Sequence, residues 1–305
     1  MEFKRFKKRG GGLIVAAALL CLTSCASVEE APPSATFEVN GLSLALDDRQ
    51  AEEPIPAAPT LVFLHGWACD RSFWGELPAR LGVDHRVVSL DLPGHGQSGT
   101  ERENWSILGL GTDVRDLCDI LALDDIVLVG HSMGAPVALA AAGQMVGRVR
   151  AVIAVDSLHN MTAPVPQDLL DPLIGSFESD WNETMQVAIA TMVPGGAGSD
   201  LARWITARAT QTDQTAALGL MRSFGGLDLA QLAREAAVPV RAINAAPYAG
   251  GAETLREENR ALVDFDVILI GDVGHYLQLE RPDLVEQGLR TVLAEMEAGR
   301  PKRAA

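Results

Sequence analysis

Two short segments of this 305-residue chain carry residue types able to do covalent chemistry. The first is Gly130-His131-Ser132-Met133-Gly134, which follows the β-branched run Ile126 to Val129 and leads into Ala-rich helical sequence. A strand-to-helix turn of this kind holds its serine on strained backbone, and the flanking glycines remove side chains that would strike the neighbouring strand and helix. Ser132 is thereby presented as a nucleophile at the head of a helix, with the Met133 amide placed to donate to a developing oxyanion. The second segment, Gly271-Asp272-Val273-Gly274-His275-Tyr276, follows the last β-type run and offers His275, a base near neutral at working pH. A serine nucleophile and a histidine base together are the chemistry of acyl transfer.

A second oxyanion donor is expected from the loop after the third strand, which reads Leu64-His65-Gly66-Trp67. Gly66 lets the backbone turn close to a substrate, so the amide of Trp67 is the candidate, and His65 is expected to be structural. Trp67 and Tyr276, which flank these positions, are the candidate substrate-binding side chains. The six histidines form no H-x-H, H-x-D or H-E-x-x-H pattern, and no P-loop or dinucleotide fingerprint occurs. Neither metal nor cofactor is expected.

These residues need a scaffold that brings several loops to one end. Short β-branched runs alternate with longer helical patterns from about residue 35, the signature of a parallel sheet with crossover helices. Strands are expected at Thr36 to Val39, Leu42 to Leu46, Thr60 to Leu64, Arg86 to Leu90, Ile126 to Val129, Ala151 to Val155, Val240 to Ile243 and Val267 to Ile270. Helices are expected at Phe73 to Leu81, Ser106 to Leu121, Met133 to Met145, Leu229 to Glu235, Glu253 to Leu262 and Pro282 to Glu297. The fold class is therefore α/β, an eight-stranded mostly parallel sheet flanked by helices. Residues 158–226 interrupt the alternation with helical sequence and are expected to form a cap over the strand ends. Trp181, Met185, Met192, Trp204 and Met221 could line an acyl or aromatic binding pocket, and at helical spacing they are read first as the packed face of that cap.

The ordered set His65-Gly66, Asp91-Leu92-Pro93-Gly94-His95-Gly96 and Gly130-His131-Ser132-Met133-Gly134 resembles the α/β-hydrolase superfamily, from about Thr60 to the C-terminus. The resemblance implies a cofactor-independent serine hydrolase with His275 as general base, cleaving a carboxylic ester of a small-molecule acyl substrate. Lactones, thioesters, amides and activated carbon–carbon bonds stay open as alternatives. The acid departs from the common pattern, in which it follows the seventh strand: here Asn244-Ala245-Ala246-Pro247-Tyr248-Ala249 holds no carboxylate before Glu253. Some members place it after strand six, where this chain has Asp156, and Glu253 is held in reserve. The missing carboxylate also keeps open a non-catalytic binding receptor of the same fold.

Charge and termini complete the picture. Lys plus Arg number 25 against 40 Asp plus Glu, a net charge of -15, with no basic stripe that could follow a phosphate backbone, so nucleic acid is not an expected partner. Lys4, Arg5, Lys7, Lys8 and Arg9 precede an apolar stretch from Leu13 to Leu22, too short to span a bilayer but suited to an export signal. Its end, Leu22-Thr23-Ser24-Cys25, resembles the lipobox of bacterial lipoproteins. That resemblance implies a signal peptide over residues 1–24, a lipidated tether over 25–35 with acylated Cys25, and a domain over 36–305 anchored to the membrane. In a Gram-negative host, Ala26 would favour the outer membrane. Beyond the signal, Cys69 and Cys118 are expected either to pair or to be buried as free thiols.

Overall fold

The computed structural model describes residues 34–246 and 251–298. Eight strands form one sheet: β1 (Ser34–Val39), β2 (Leu42–Arg49), β3 (Thr60–Leu64), β4 (Val87–Leu90), β5 (Ile126–His131), β6 (Val149–Val155), β7 (Val240–Ala245) and β8 (Phe265–Ile270). Their order is β1-β2-β4-β3-β5-β6-β7-β8. The first two strands run antiparallel at one edge, and β3 to β8 are parallel to one another and to β4. The chain crosses back after each parallel strand, so every loop following a strand emerges at the same end of the sheet.

Alternation along the central strands feeds two cores. Val62, Leu64, Ile126 and Leu128 point to one face, beneath α2 (Ile107–Ile120), α3 (Gly134–Gln144) and α8 (Leu229–Ala236). Leu61, Phe63, Val127 and Val129 point to the other, with Trp74, α1 (Leu77–Leu81) and α11 (Pro282–Ala298). The helix expected from Phe73 to Leu81 is broken: Arg71–Trp74 forms a single 3-10 turn, Gly75 takes φ +56, and α1 resumes at Leu77. A left-handed residue cannot continue a helix.

Between β6 and β7 lie α4 (Gln167–Ser179), α5 (Trp181–Met192), α6 (Asp200–Ala209) and α7 (Gln214–Phe224). Phe177, Trp181, Met185, Ile189, Ile205 and Met221 pack together with Ala68, Cys69, Phe73 and Tyr276, so this insertion shares its core with the loops at the carboxyl end of the sheet. The remaining helices, α9 (Ala252–Arg260) and α10 (Leu277–Glu280), flank β8. Cys69 and Cys118 are separate, buried and free.

Three buried histidines brace those loops. His65 donates from Nδ1 to Gly66 O at 2.8 Å and accepts the Leu92 amide at Nε2 at 2.9 Å, joining the loops after β3 and β4. His95 contacts Pro93 O at 3.1 Å, and His131 donates from Nε2 to His275 O at 2.9 Å. Burial pushes His65 down to about 4 and His95 and His131 down to about 3, from the usual 6.5. The unfolded chain therefore binds protons that the fold refuses, and stability falls as pH drops from 6.5 toward those values. Urea unfolding followed between about pH 7 and pH 4 is expected to lose up to about 1.4 kcal/mol per pH unit for each histidine. The slope in His95→Gln is expected to shrink by about one proton. A midpoint independent of pH over that range would contradict this account.

Candidate active site

The turn after β5 is set by how little space surrounds it. Ser132 takes φ +49, and its amide reaches across to Val155 O on β6 at 3.1 Å. A Cβ on Gly134 would overlap the Leu64 carbonyl oxygen, and one on Gly130 would overlap the Gly134 backbone. Only hydrogen fits at either position, which lets β3, β5 and the head of α3 meet at van der Waals distance. Ser132 is half-buried. Met133, the N-cap of α3, is already in helical conformation, and its amide makes no hydrogen bond among the described residues.

The loop after β3 lies against the serine. A Cβ at Gly66 would stand 3.2 Å from Ser132 Cβ and 2.9 Å from His131 Nδ1. Next to it, the Trp67 amide likewise makes no hydrogen bond among the described residues. Two uncommitted amides, one on the adjoining loop and one directly after the serine, are groups able to hold an oxyanion. The Trp67 indole turns elsewhere. Its Nε1 donates to Ala217 O of α7 at 2.7 Å, and its ring packs at 5.1 Å on Phe177 and 5.8 Å on Trp181.

His275 sits in the loop after β8, and its Nδ1–H donates to Asp156 Oδ2 at 2.6 Å. Its own amide donates to Met192 O at the end of α5 at 2.9 Å, and the preceding Gly274 amide donates to Glu280 Oε2 at 2.8 Å. Tyr276 is 5% exposed, packed among Phe73, His131 and His275, so its ring belongs to the core beneath the cap. Asp156, directly after β6, is 3% exposed with φ +44. Its Oδ1 accepts the Ala245 amide at 2.8 Å and lies 3.7 Å from His159 Nε2. Burial raises its pKa, but the nearby His159 ring and the hydrogen bonds from His275 and Ala245 outweigh burial and hold the carboxyl well below the usual range.

The structure thus brings together Ser132, His275, Asp156 and the amides of Trp67 and Met133. Among the described residues Ser132 Oγ and His275 Nε2 each lack a hydrogen bond, a pair that commonly tightens only around a bound substrate. Glu253 is not part of the group: it lies in the first turn of α9, 73% exposed, 3.6 Å from Arg256. Asp272 is exposed in a left-handed turn. No cluster of three or more metal-ligating side chains occurs among the described residues. Sequence reasoning had no cue for Glu280 or the Met192 carbonyl, since both act on backbone amides brought near by folding. Cys25 and the preceding signal-like run lie outside the described residues.

A family model for the alpha/beta hydrolase family matches residues 61–287. Sequence relatives include an uncharacterized protein of Mycobacterium tuberculosis, 31% identical over 128 residues, covering 42% of this chain and 36% of that one. Another is 3-oxoadipate enol-lactonase 1 of Acinetobacter baylyi, 39% identical over 82 residues, 27% of this chain and 30% of the relative. The chain spans about a third of the length of the curated relatives it matches. Among solved structures, the enol-lactonase of Burkholderia xenovorans LB400 superposes with a TM-score of 0.73 at 21% identity, over 85% of this chain and 100% of that one. An esterase from Exiguobacterium antarcticum gives 0.74 at 17%, over 86% and 100%. The sheet order, the serine turn and the match over most of the described residues agree, and the chain belongs to the alpha/beta hydrolase family.

Proposed function

We propose that this protein is a cofactor-independent serine hydrolase that cleaves a carboxylic ester, or a related acyl bond, through an acyl-enzyme. The observation that carries the reading is the 2.6 Å bond between His275 Nδ1 and the ionised, buried Asp156, made at the same end of the sheet as Ser132. With its Nδ1 proton held there, the imidazole keeps Nε2 as the accepting nitrogen. Ser132 Oγ attacks the substrate carbonyl as Nε2 takes its proton, and the carbonyl oxygen becomes an oxyanion between the Trp67 and Met133 amides. His275 returns the proton to the leaving group, the acyl–serine bond remains, and water activated by His275 then releases the acid. Asp156 stabilises the imidazolium in both steps. The enol-lactonase among the sequence relatives, and an esterase among the proteins of similar fold, support an acyl–oxygen bond as the target.

An alkyl fluorophosphonate tests the reading directly. Stoichiometric labelling abolished in Ser132→Ala is expected, and folded protein left unlabelled would favour a ligand-binding role instead. Asp156→Asn is expected to lower kcat on p-nitrophenyl esters by about 10²- to 10⁴-fold while Glu253→Gln stays within about twofold. The opposite ranking would move the acid to Glu253.

The proposal includes an N-terminal lipid on Cys25, supported by Leu22-Thr23-Ser24-Cys25 after a basic and an apolar run. Among the described residues no helix is long and apolar enough to cross a membrane. Without residues 1–24 the chain has 20 basic and 39 acidic side chains, a net charge of -19 that gives no attraction to anionic lipid. Metabolic labelling with a fatty-acid analogue is expected to mark the parent and not Cys25→Ser; equal labelling of both would remove the anchor.

A further inference from the structure

The end of β7 holds the acid-bearing turn one residue at a time. Ile243 O accepts the Asp156 amide at 2.9 Å, and the Ala245 amide donates to Asp156 Oδ1 at 2.8 Å. Between them, the Asn244 side chain grips Ser157 on both its backbone groups. Oδ1 accepts the Ser157 amide at 3.1 Å, and Nδ2 donates to the Ser157 carbonyl at 3.1 Å. Ser157 in turn donates from Oγ to the carbonyl of Ser132 at 2.9 Å. Asn244 therefore holds from β7 the residue whose hydroxyl ties the Asp156 turn to the backbone of Ser132.

Asn244 is fully buried in a strand of otherwise mostly apolar residues. A carboxamide there is costly unless both its donor and its acceptor are used, and here both are spent on one residue. That residue follows Asp156, whose φ of +44 lies in the left-handed region. A non-glycine residue stays there only where its surroundings fix it, and the clamp on Ser157 supplies that restraint.

We propose that Asn244 is a positioning residue for acyl transfer, locking the Asp156–Ser157 turn so that Asp156 Oδ2 meets His275 Nδ1 while Ser157 Oγ braces Ser132. The inference rests on the serine-hydrolase reading above. An aspartate of the same shape cannot replace Asn244, because it has no proton for the Ser157 carbonyl and sets two acceptors against each other. Misplacing a catalytic group by about 1 Å can cost about 10²-fold in rate, which is the scale of effect at stake.

The test is a double-mutant cycle on the full chain in detergent, read as kcat and KM on the best p-nitrophenyl ester and as the fluorophosphonate labelling rate. Asn244→Ala and Asn244→Asp are each expected to lower kcat by about 10- to 100-fold with KM within about twofold. In the Asp156→Asn background the same Asn244→Ala change is expected to cost less than about threefold, because no carboxylate remains to be aimed. Additive losses, or a folded Asn244→Ala with kcat within about twofold of the parent, would overturn the inference. Should Asn244→Ala fail to fold, Asn244→Ser keeps one hydroxyl for Ser157 and runs the same cycle. Labelling that survives Ser132→Ala would defeat the hydrolase reading itself. Labelling lost with Ser132 and slowed in Asp156→Asn, alongside additive Asn244 losses, would defeat only the role of Asn244.

Discussion

The rest of the site depends on one crowded piece of backbone, the left-handed turn at Ser132. Its φ of +49 swings the side chain off the end of β5, and hydrogen alone fits at Gly130 and Gly134. That closeness has consequences on both flanks. On one, the carbonyls of Leu64 and His65 come to the head of α3, which draws the Gly66–Trp67 loop beside the serine. On the other, the Ser132 amide bonds to Val155, the last residue of β6, and the residue that follows is Asp156. One steric constraint thus fixes the approach of the Gly66–Trp67 loop and the Asp156 carboxylate together.

The carboxylate shows how a fold tolerates a charge inside it. Asp156 is almost wholly removed from water, a state that would neutralise an isolated acid. Two imidazoles and a backbone amide surround it, so burial concentrates their field on the carboxylate and keeps it ionised. The histidines that brace the loops show the converse. Surrounded by apolar packing and carbonyls, they are held neutral and serve as rigid hydrogen-bonding struts.

Much of this was legible in the chain itself, for reasons of range. The serine turn and the His275 loop are local patterns, and a parallel sheet brings the ends of its strands to one side whatever their order. The position of Asp156 was legible only as a choice, because it depends on β6 lying between β5 and β7. Long-range partners were not legible at all. Trp67 carries the amide expected to face an oxyanion, yet its indole is committed to Ala217, 150 residues away, and Tyr276 is drawn into the same aromatic core. The break at Gly75 was missed because a helical apolar spacing continues across it. Asn244 was seen as the place where a carboxylate was absent, since a sequence cannot show that an amide there holds the neighbouring turn.

The bond from the His275 amide to the Met192 carbonyl has a wider meaning for the insertion between β6 and β7. Gly274 packs so closely on Met192 and Pro194 that no side chain fits between them. The helical insertion is therefore part of the wall that fixes the His275 loop, and it is not a detachable lid laid over a finished site. A change in this segment therefore bears directly on the backbone that sets the His275 imidazole. A different insertion grafted onto this body would have to offer a carbonyl to the His275 amide and leave room for nothing larger than hydrogen at Gly274.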